Sequence, residues 1–354
     1  MSNEIRKKSR KLTKSIKWNS CKDEAVIEAF KTNQKNAWVT DRINVTNDRV
    51  SWTKLSQSEQ EQFIKTFVIL SKIDAGQGNI GMDILAENCG DEYEASVFRY
   101  EGGMEIVHSA SYNKQLASFI TTDIEDRYID WADNSPEVAN VVDFLLQSMI
   151  DLDDEEMESK ERYLIQLAYS TILESFLFYL LFYYPFYQAN VKNRMTKCAE
   201  VVRLILRDES VHGAFSAYLF RRDNAKVSVE AQDRIQARIE GFITDLYSRI
   251  GGLLDVVYET EEIREDIQKF ANYNFNRTLR NLGFAEVFTG DDVDFHPAIK
   301  AEVDSKEVTF DIFSMTGNAY FMMNHEEFTD KHRKVIENAI KSRSKFAPKM
   351  RITV

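Results

Sequence analysis

Glycine and proline are scarce in this chain. It holds 13 Gly and 4 Pro in 354 residues, about 5% together where a combined share of roughly 12% is ordinary. So few breakers imply long uninterrupted elements. Cysteine is scarcer still: Cys21, Cys89 and Cys198 are scattered, with no C-x-x-C pair, which argues against a disulfide framework, a cysteine zinc site and a paired redox centre. A reducing, cytoplasmic setting follows as an expectation. There is no surplus of positive charge. The net charge of −12 disfavours nucleic acid as a partner for the whole surface. No Gly-rich phosphate loop, Gly/Ser/Pro-rich linker, low-complexity tract or short repeat interrupts the sequence. No signal peptide is evident either. The first 17 residues carry seven Lys/Arg against one Glu, but their apolar residues are too sparse for an amphipathic face, and they read as a basic arm.

One long apolar run is present, and it holds a single charge. From Tyr163 to Val191 the only charged residue is Glu174, with tyrosine, Gln166 and Pro185 interrupting the run. The run is long enough to resemble a membrane span, which needs roughly 20 apolar residues. An isolated, tyrosine-rich and interrupted segment fits a buried core helix better, and no membrane association is expected. A buried carboxylate needs a compensating partner. A metal ion supplies one; a nearby Arg, or a proton held by a raised pKa, are the alternatives.

Two Glu-x-x-His pairs, Glu105/His108 and Glu209/His212, lie elsewhere in the chain. Residues i and i+3 share a helical face, so each pair presents a carboxylate beside an imidazole. With 57 acidic residues and five histidines, two such pairs are weak support alone, and their surroundings must decide. Each is preceded by an acid in an apolar stretch: Glu174 before the second, and Asp74 or Asp83 before the first. Four helices giving these groups to one point would assemble four carboxylates and two imidazoles, a set suited to two adjacent redox-active metal ions in a bundle core.

Helix boundaries agree. Ser56 with Glu59 forms a capping-box pattern ahead of Phe63, Ile64, Phe67 and Val68, predicting a helix that runs past Asp74 into the 80s. Ser135-Pro136 predicts another start. Pro185 is expected to end or kink the Glu174 helix, and a following helix carries Glu209 and His212. Further helical patterns cover 228–250 and 258–282, residues 284–320 look irregular, and 327–343 reads as a last charged helix. Gly102-Gly103 before Glu105 marks either a helix start or a close approach by a neighbour. The acidic run Asp151–Glu156 reads as a solvated connection and lacks the spacing of a calcium loop.

The segments EIVHSASY (105–112), LESFLFYLLFYYP (173–185), RDESVHG (207–213), SKIDAGQGN (71–79), NAWVTDRINVTNDRVSW (36–52) and DIFSMTGNAYFMM (311–323) together resemble the radical-generating small subunit of class I ribonucleotide reductase, nearest its class Ib branch. The likeness runs from about Asn33 to Met322. It implies an all-α, ferritin-like bundle in which Asp74, Glu105, His108, Glu174, Glu209 and His212 hold two iron or two manganese ions per chain. It also selects Asp74 over Asp83. It further implies that Tyr112, one turn after His108, carries a tyrosyl radical. A chain from Trp38 through Asp208 to His108 would move the radical's electron, and Tyr320 would relay it to a separate large subunit that reduces ribonucleotides. Phe178, Phe182 and Ile205 would wall the radical site. A homodimer is implied, and, if manganese is used, a flavodoxin-like activator.

We therefore expect one helical domain (21–320) between the basic arm (1–20) and a tail for partner contact (321–354). The tail departs from the family, which ends in a short acidic segment: residues 331–351 hold eight Lys/Arg against one Glu. The rival reading is a di-metal oxidase or oxygenase acting directly on a small substrate. It accounts for the six ligands but not for Tyr112, Trp38 and Tyr320 together. A metal-storage protein would need a cage or an ion pathway and should form no radical.

Overall fold

A computed structural model describes residues 15–258 and 261–304. Tyr320, the tail 321–354, the helix expected at 327–343 and residues 1–14 of the basic arm lie outside the described residues. Among those described, the chain is helical and contains no strand.

Helix α1 (Glu24–Asn36) starts where Asp23 accepts a bond from the Ala25 backbone N–H. Helix α2 begins with Gln57–Gly76, passes through a widened π turn at Gln77–Gly81 and ends as Met82–Asn88. Its start is the predicted capping box, with Ser56 Oγ accepting from Glu59 N and Glu59 Oε2 accepting from Ser56 N. These two bonds satisfy donors that a helix start otherwise leaves open. Helix α3 (Glu92–Leu116) is capped by Asp91, which accepts from Tyr93 N and Glu94 N. Then come α4 (Thr122–Asn134) and α5, which runs through Pro136–Val138, Ala139–Asp143 and Phe144–Asp151. The acidic run connects α5 to α6.

Helix α6 is the long apolar one, Ser159–Val191. It continues past Pro185, where an end or a kink was expected, so the helix does not end there; its bond pattern widens just beyond, over Tyr187–Val191. Its apolar window is wholly buried inside the protein, so it is a core helix. Helix α7 (Thr196–Asn224) carries Glu209 and His212; α8 (Val229–Val257) and α9 (Glu261–Leu282) pack outside. The region expected to be irregular contains a short α10 (Pro297–Asp304).

Helices α2, α3, α6 and α7 form the core, with α2 against α3 and α6, and α7 against α6 and α3. Phe63, Phe67, Phe98 and Phe215 are fully buried in this core, each contributing about 1.5–3 kcal/mol of apolar burial. Helix α1 lies across α3 and α7. Helix α3 runs unbroken through Gly102-Gly103, and the reason lies in its neighbour. A Cβ on Gly102 would stand 3.1 Å from the Gly78 carbonyl oxygen, and one on Gly78 would stand 2.9 Å from Gly102 O and from Glu105 Cβ. The two backbones touch where the π turn of α2 meets α3. Gly103 has open space around its Cα.

Candidate metal centre

Four helices deliver one cluster. Asp74 comes from α2, Glu105 and His108 from α3, Glu174 from α6, and Glu209 and His212 from α7. All six are fully buried. Asp83, the other acid the sequence allowed, is exposed. Local geometry aims each group. The i, i+3 spacing sets Glu105 beside His108 and Glu209 beside His212, while Glu174 sits in a π turn, Leu173–Leu177. Such single widened turns recur at functional sites.

The six fall into two overlapping groups. Asp74, Glu105, His108 and Glu209 offer donor atoms within 4.8 Å of one another, and so do Glu105, Glu174, Glu209 and His212. Glu105 and Glu209 belong to both. His108 Nδ1 lies 2.9 Å from Glu209 Oε1 and 3.4 Å from both Asp74 Oδ1 and Glu105 Oε2. His212 Nδ1 lies 2.7 Å from Glu105 Oε1 and 3.3 Å from Glu209 Oε2. Each imidazole therefore turns the same nitrogen inward.

Protons alone serve this cluster poorly. Burial, followed by the charges of neighbouring carboxylates, holds Asp74 and Glu174 well above the ordinary carboxyl range. Burial opposes charge on His108 and His212, yet the surrounding carboxylates raise both well above the usual imidazole value. Glu105 also resists burial, but the two imidazoles bring it down to about 2. Apart from the two inward imidazole nitrogens, no donor reaches either oxygen of Asp74, Glu105 or Glu209 among the described residues. Buried acceptors in this state are costly. Four carboxylates balance the charge of two divalent cations, and two shared carboxylates between two imidazole-bearing groups suit a metal pair.

The surroundings are ordered. Asp208, also fully buried, lies 3.2 Å from His108 Nε2, accepts a 2.8 Å bond from Trp38 Nε1, and takes Arg207 Nε and Nη2 on its other oxygen at 3.0 and 2.8 Å. The Trp38 ring stacks on His108 with centroids 5.8 Å apart. A pocket of about 300 Å³, lined by Trp38, Arg99, Gly103, Met104 and His108 among others, lies on this side; the bare Gly103 keeps it open. Tyr112 is fully buried, its ring centroid 5.2 Å from Phe67, its hydroxyl without a hydrogen-bond partner among the described residues. Burial, then the charges of Asp74, Glu209 and Glu105, hold its phenol pKa far up. Phe178, Phe182 and Ile205 are fully buried as well, although the ring in contact with Tyr112 is that of Phe67.

Two polar residues at the site escaped the sequence reading. Gln77 Nε2 donates to Glu174 Oε1 at 2.6 Å and to Ser170 Oγ at 3.0 Å. Glu101, one turn before Glu105, is fully buried and pushed up to about 7 by burial, against the opposing pull of His212 and an Asn33 bond. Helical spacing carried a signal for both, since Gln77 follows Asp74 by three and Glu101 precedes Glu105 by four. Polar residues at such spacings are too common on long helices to stand out.

Comparison with known proteins gives a consistent answer. The family model described as "Ribonucleotide reductase, small chain" matches residues 15–297. Ribonucleoside-diphosphate reductase subunit beta nrdF2 of Mycobacterium tuberculosis is 30% identical over 86% of this chain and 92% of its own length. The subunit beta of Bacillus subtilis is 28% identical over 90% of this chain and 96% of its own. The crystal structure of dimanganese(II)-NrdF from Streptococcus sanguinis is similar with a TM-score of 0.75 at 28% identity, covering 82% of this chain and all of that one. With its ferritin-like core and buried carboxylate–histidine cluster, the chain belongs to the small-chain family of class I ribonucleotide reductase, an oxidoreductase subunit of the NrdF-like kind.

Proposed function

We propose that Asp74, Glu105, His108, Glu174, Glu209 and His212 hold two iron or two manganese ions, and that Tyr112 carries the radical this subunit delivers. The observation that carries the reading is the pair of four-residue groups sharing Glu105 and Glu209, with buried Tyr112 one turn beyond His108. Held there and oxidised by an external oxidant such as oxygen, the metal pair would supply the oxidising power that takes an electron from Tyr112.

The chain's residues shape that event. With its pKa held far up, the Tyr112 phenol stays protonated, so its oxidation gives up a proton as well as an electron. Complete burial and the Phe67 ring keep water and reductants from the resulting radical. Asp208 orients His108, and the hydrogen-bonded chain Trp38–Asp208–His108 is a conduit for the electron that returns to the site when the radical is passed on. Half-exposed Trp38 is the outer end of that chain in the described residues. Tyr320 is proposed as the next relay, toward the large subunit on which ribonucleotides are reduced. The working form is proposed as a cytoplasmic homodimer, with a flavodoxin-like protein as activator if manganese is used.

Electron paramagnetic resonance tests the reading. Metal-free protein reloaded with Fe(II) and exposed to oxygen should give a sharp tyrosyl signal, and Tyr112→Phe should give none while binding the same metal. Metal oxidation without a Tyr112-dependent signal would favour a direct oxidase, and a chain that binds no metal would overturn the reading.

A further inference from the structure

The stripe of buried polar groups on α3 does not begin at Glu105. Glu101, Glu105, His108 and Tyr112 follow one another at helical spacing, and all are fully buried. Glu101 Oε1 accepts a 2.9 Å bond from Asn33 Nδ2 on α1. Its Oε2 has no donor among the described residues, and neither His212 Nε2 nor Asn33 Oδ1 has a hydrogen-bond partner there. After Glu105, Glu101 is the strongest charge acting on His212, and His212 is the strongest favourable charge acting on Glu101. Glu101 is outside both donor groups, so it is not a fifth ligand candidate. It acts on His212 by charge from outside the donor set, and each of the two keeps an unpartnered buried atom.

The other half of the site shows what a carboxylate behind an imidazole does. His108 turns Nδ1 toward Glu209 and sets Nε2 3.2 Å from Asp208, which is itself held by Trp38. His212 also turns Nδ1 inward, and its Nε2 needs an acceptor of the same kind. An imidazole that ligates through one nitrogen is fixed in tautomer and orientation by what the other nitrogen donates to.

We infer that Glu101, tethered by Asn33, is a positioning residue for His212: its carboxylate takes the Nε2–H and leaves the Nδ1 lone pair for a metal ion. No hydrogen bond joins Oε2 to Nε2 in this structure, so the link closes by rotation of the carboxylate or through one water. Asn33 does for Glu101 what Trp38 does for Asp208. This assignment rests on the proposed metal-binding role of His212.

The test measures Mn(II) stoichiometry and affinity in full-length wild type, Glu101→Gln and Glu101→Leu by competition with a fluorescent chelator, with thermal melts of each metal-free protein beside them. Glu101→Leu should weaken one of the two Mn(II) ions by about 10–100-fold and leave the other within a few-fold. Glu101→Gln, which keeps shape and one acceptor, should fall between it and wild type. Unchanged affinity at both ions in either variant overturns the inference, whatever the melting temperature does, because an Asn33–Glu101 tie that only holds α1 to α3 would move stability alone. If Glu101→Leu does not fold, the isosteric Glu101→Gln decides. Wild type that fails to bind two ions overturns the metal reading itself; two ions in wild type with no Glu101 effect overturns only this inference.

Discussion

The two halves of the cluster use the same inner parts and different outer ones. Each has an imidazole pointing Nδ1 inward, one carboxylate of its own, and the shared Glu105 and Glu209. Behind His108 stand Asp208, Arg207 and half-exposed Trp38, beside a pocket of about 300 Å³. On the side of His212 the corresponding role is proposed for Glu101, tied to Asn33, and both are fully buried. Glu174, the unshared carboxylate of that half, is held by Gln77 and is also wholly enclosed. One half is connected to the surface through an oxidisable aromatic ring; the other is closed. Under the proposed function, a site that is oxidised internally and then exchanges an electron with a partner has use for that asymmetry, since a second exposed aromatic path would give the proposed radical a way to be lost.

The largest expected effect comes from removing what the halves share. Glu209→Ala takes a carboxylate from both groups at once, and metal binding should fall from two ions to one or fewer per chain, read by equilibrium dialysis with metal analysis. If two ions remain with unchanged affinity, Glu209 does not join the halves.

Next come changes that touch one half at a time. Asp208→Asn keeps the shape behind His108 but gives up its negative charge, and should weaken metal at that half by about 10–100-fold. Gln77→Met should weaken the Glu174 half instead, by a smaller factor, because it removes a single neutral donor. Mn(II) titration followed by electron paramagnetic resonance distinguishes the two ions. Equal weakening of both ions by both variants would mean that the halves do not act separately.

The smallest effect is on pH dependence, and it concerns the halves jointly. In metal-free protein Asp74 and Glu174 have raised carboxyl pKa values, by burial and then by like charge, so stability is lost as pH climbs from the unfolded carboxyl range through their folded values. His108 and His212 have raised values despite burial. Their contribution is complete below about 6.5, the unfolded imidazole value, and fades as pH rises through the folded values. Glu105, lowered to about 2, acts in the opposite sense and only in acid. The metal-free protein should therefore melt at a lower temperature at pH 8.5 than at pH 6. Loaded protein should show a smaller change, since metal takes the place of the protons. Scanning calorimetry at the two pH values checks the sign, and a metal-free protein more stable at pH 8.5 would contradict it.

Much of this site was legible from local pattern. The capping box at Ser56, the Pro136 start, the two Glu-x-x-His pairs and the lone Glu174 are short-range features, and each lies in the helix that the spacing predicted. What stayed open at short range concerned neighbours in space. Gly102-Gly103 allowed two readings until Gly78 was found against Gly102. Of the two outcomes expected at Pro185, an end is excluded: the helix continues within a fully buried segment, where packing on all sides outweighs one missing backbone bond. Asp74 and Asp83 were separable only by resemblance, and the structure buries one and exposes the other.

The sequence by itself determined which residues share a helical face, because a 3.6-residue period is a property of the chain alone. From that followed the helices, the imidazole–carboxylate pairs and, through the ordered motifs, the family. Tertiary structure decided which faces meet. It put Glu105 and Glu209 in both donor groups, set Asp208 behind His108, and brought Asn33 and Glu101 into the region of His212. Such pairings depend on how each helix is rotated and how closely its backbone is approached. Those quantities are set by the packing of all the helices together, and no single segment encodes them.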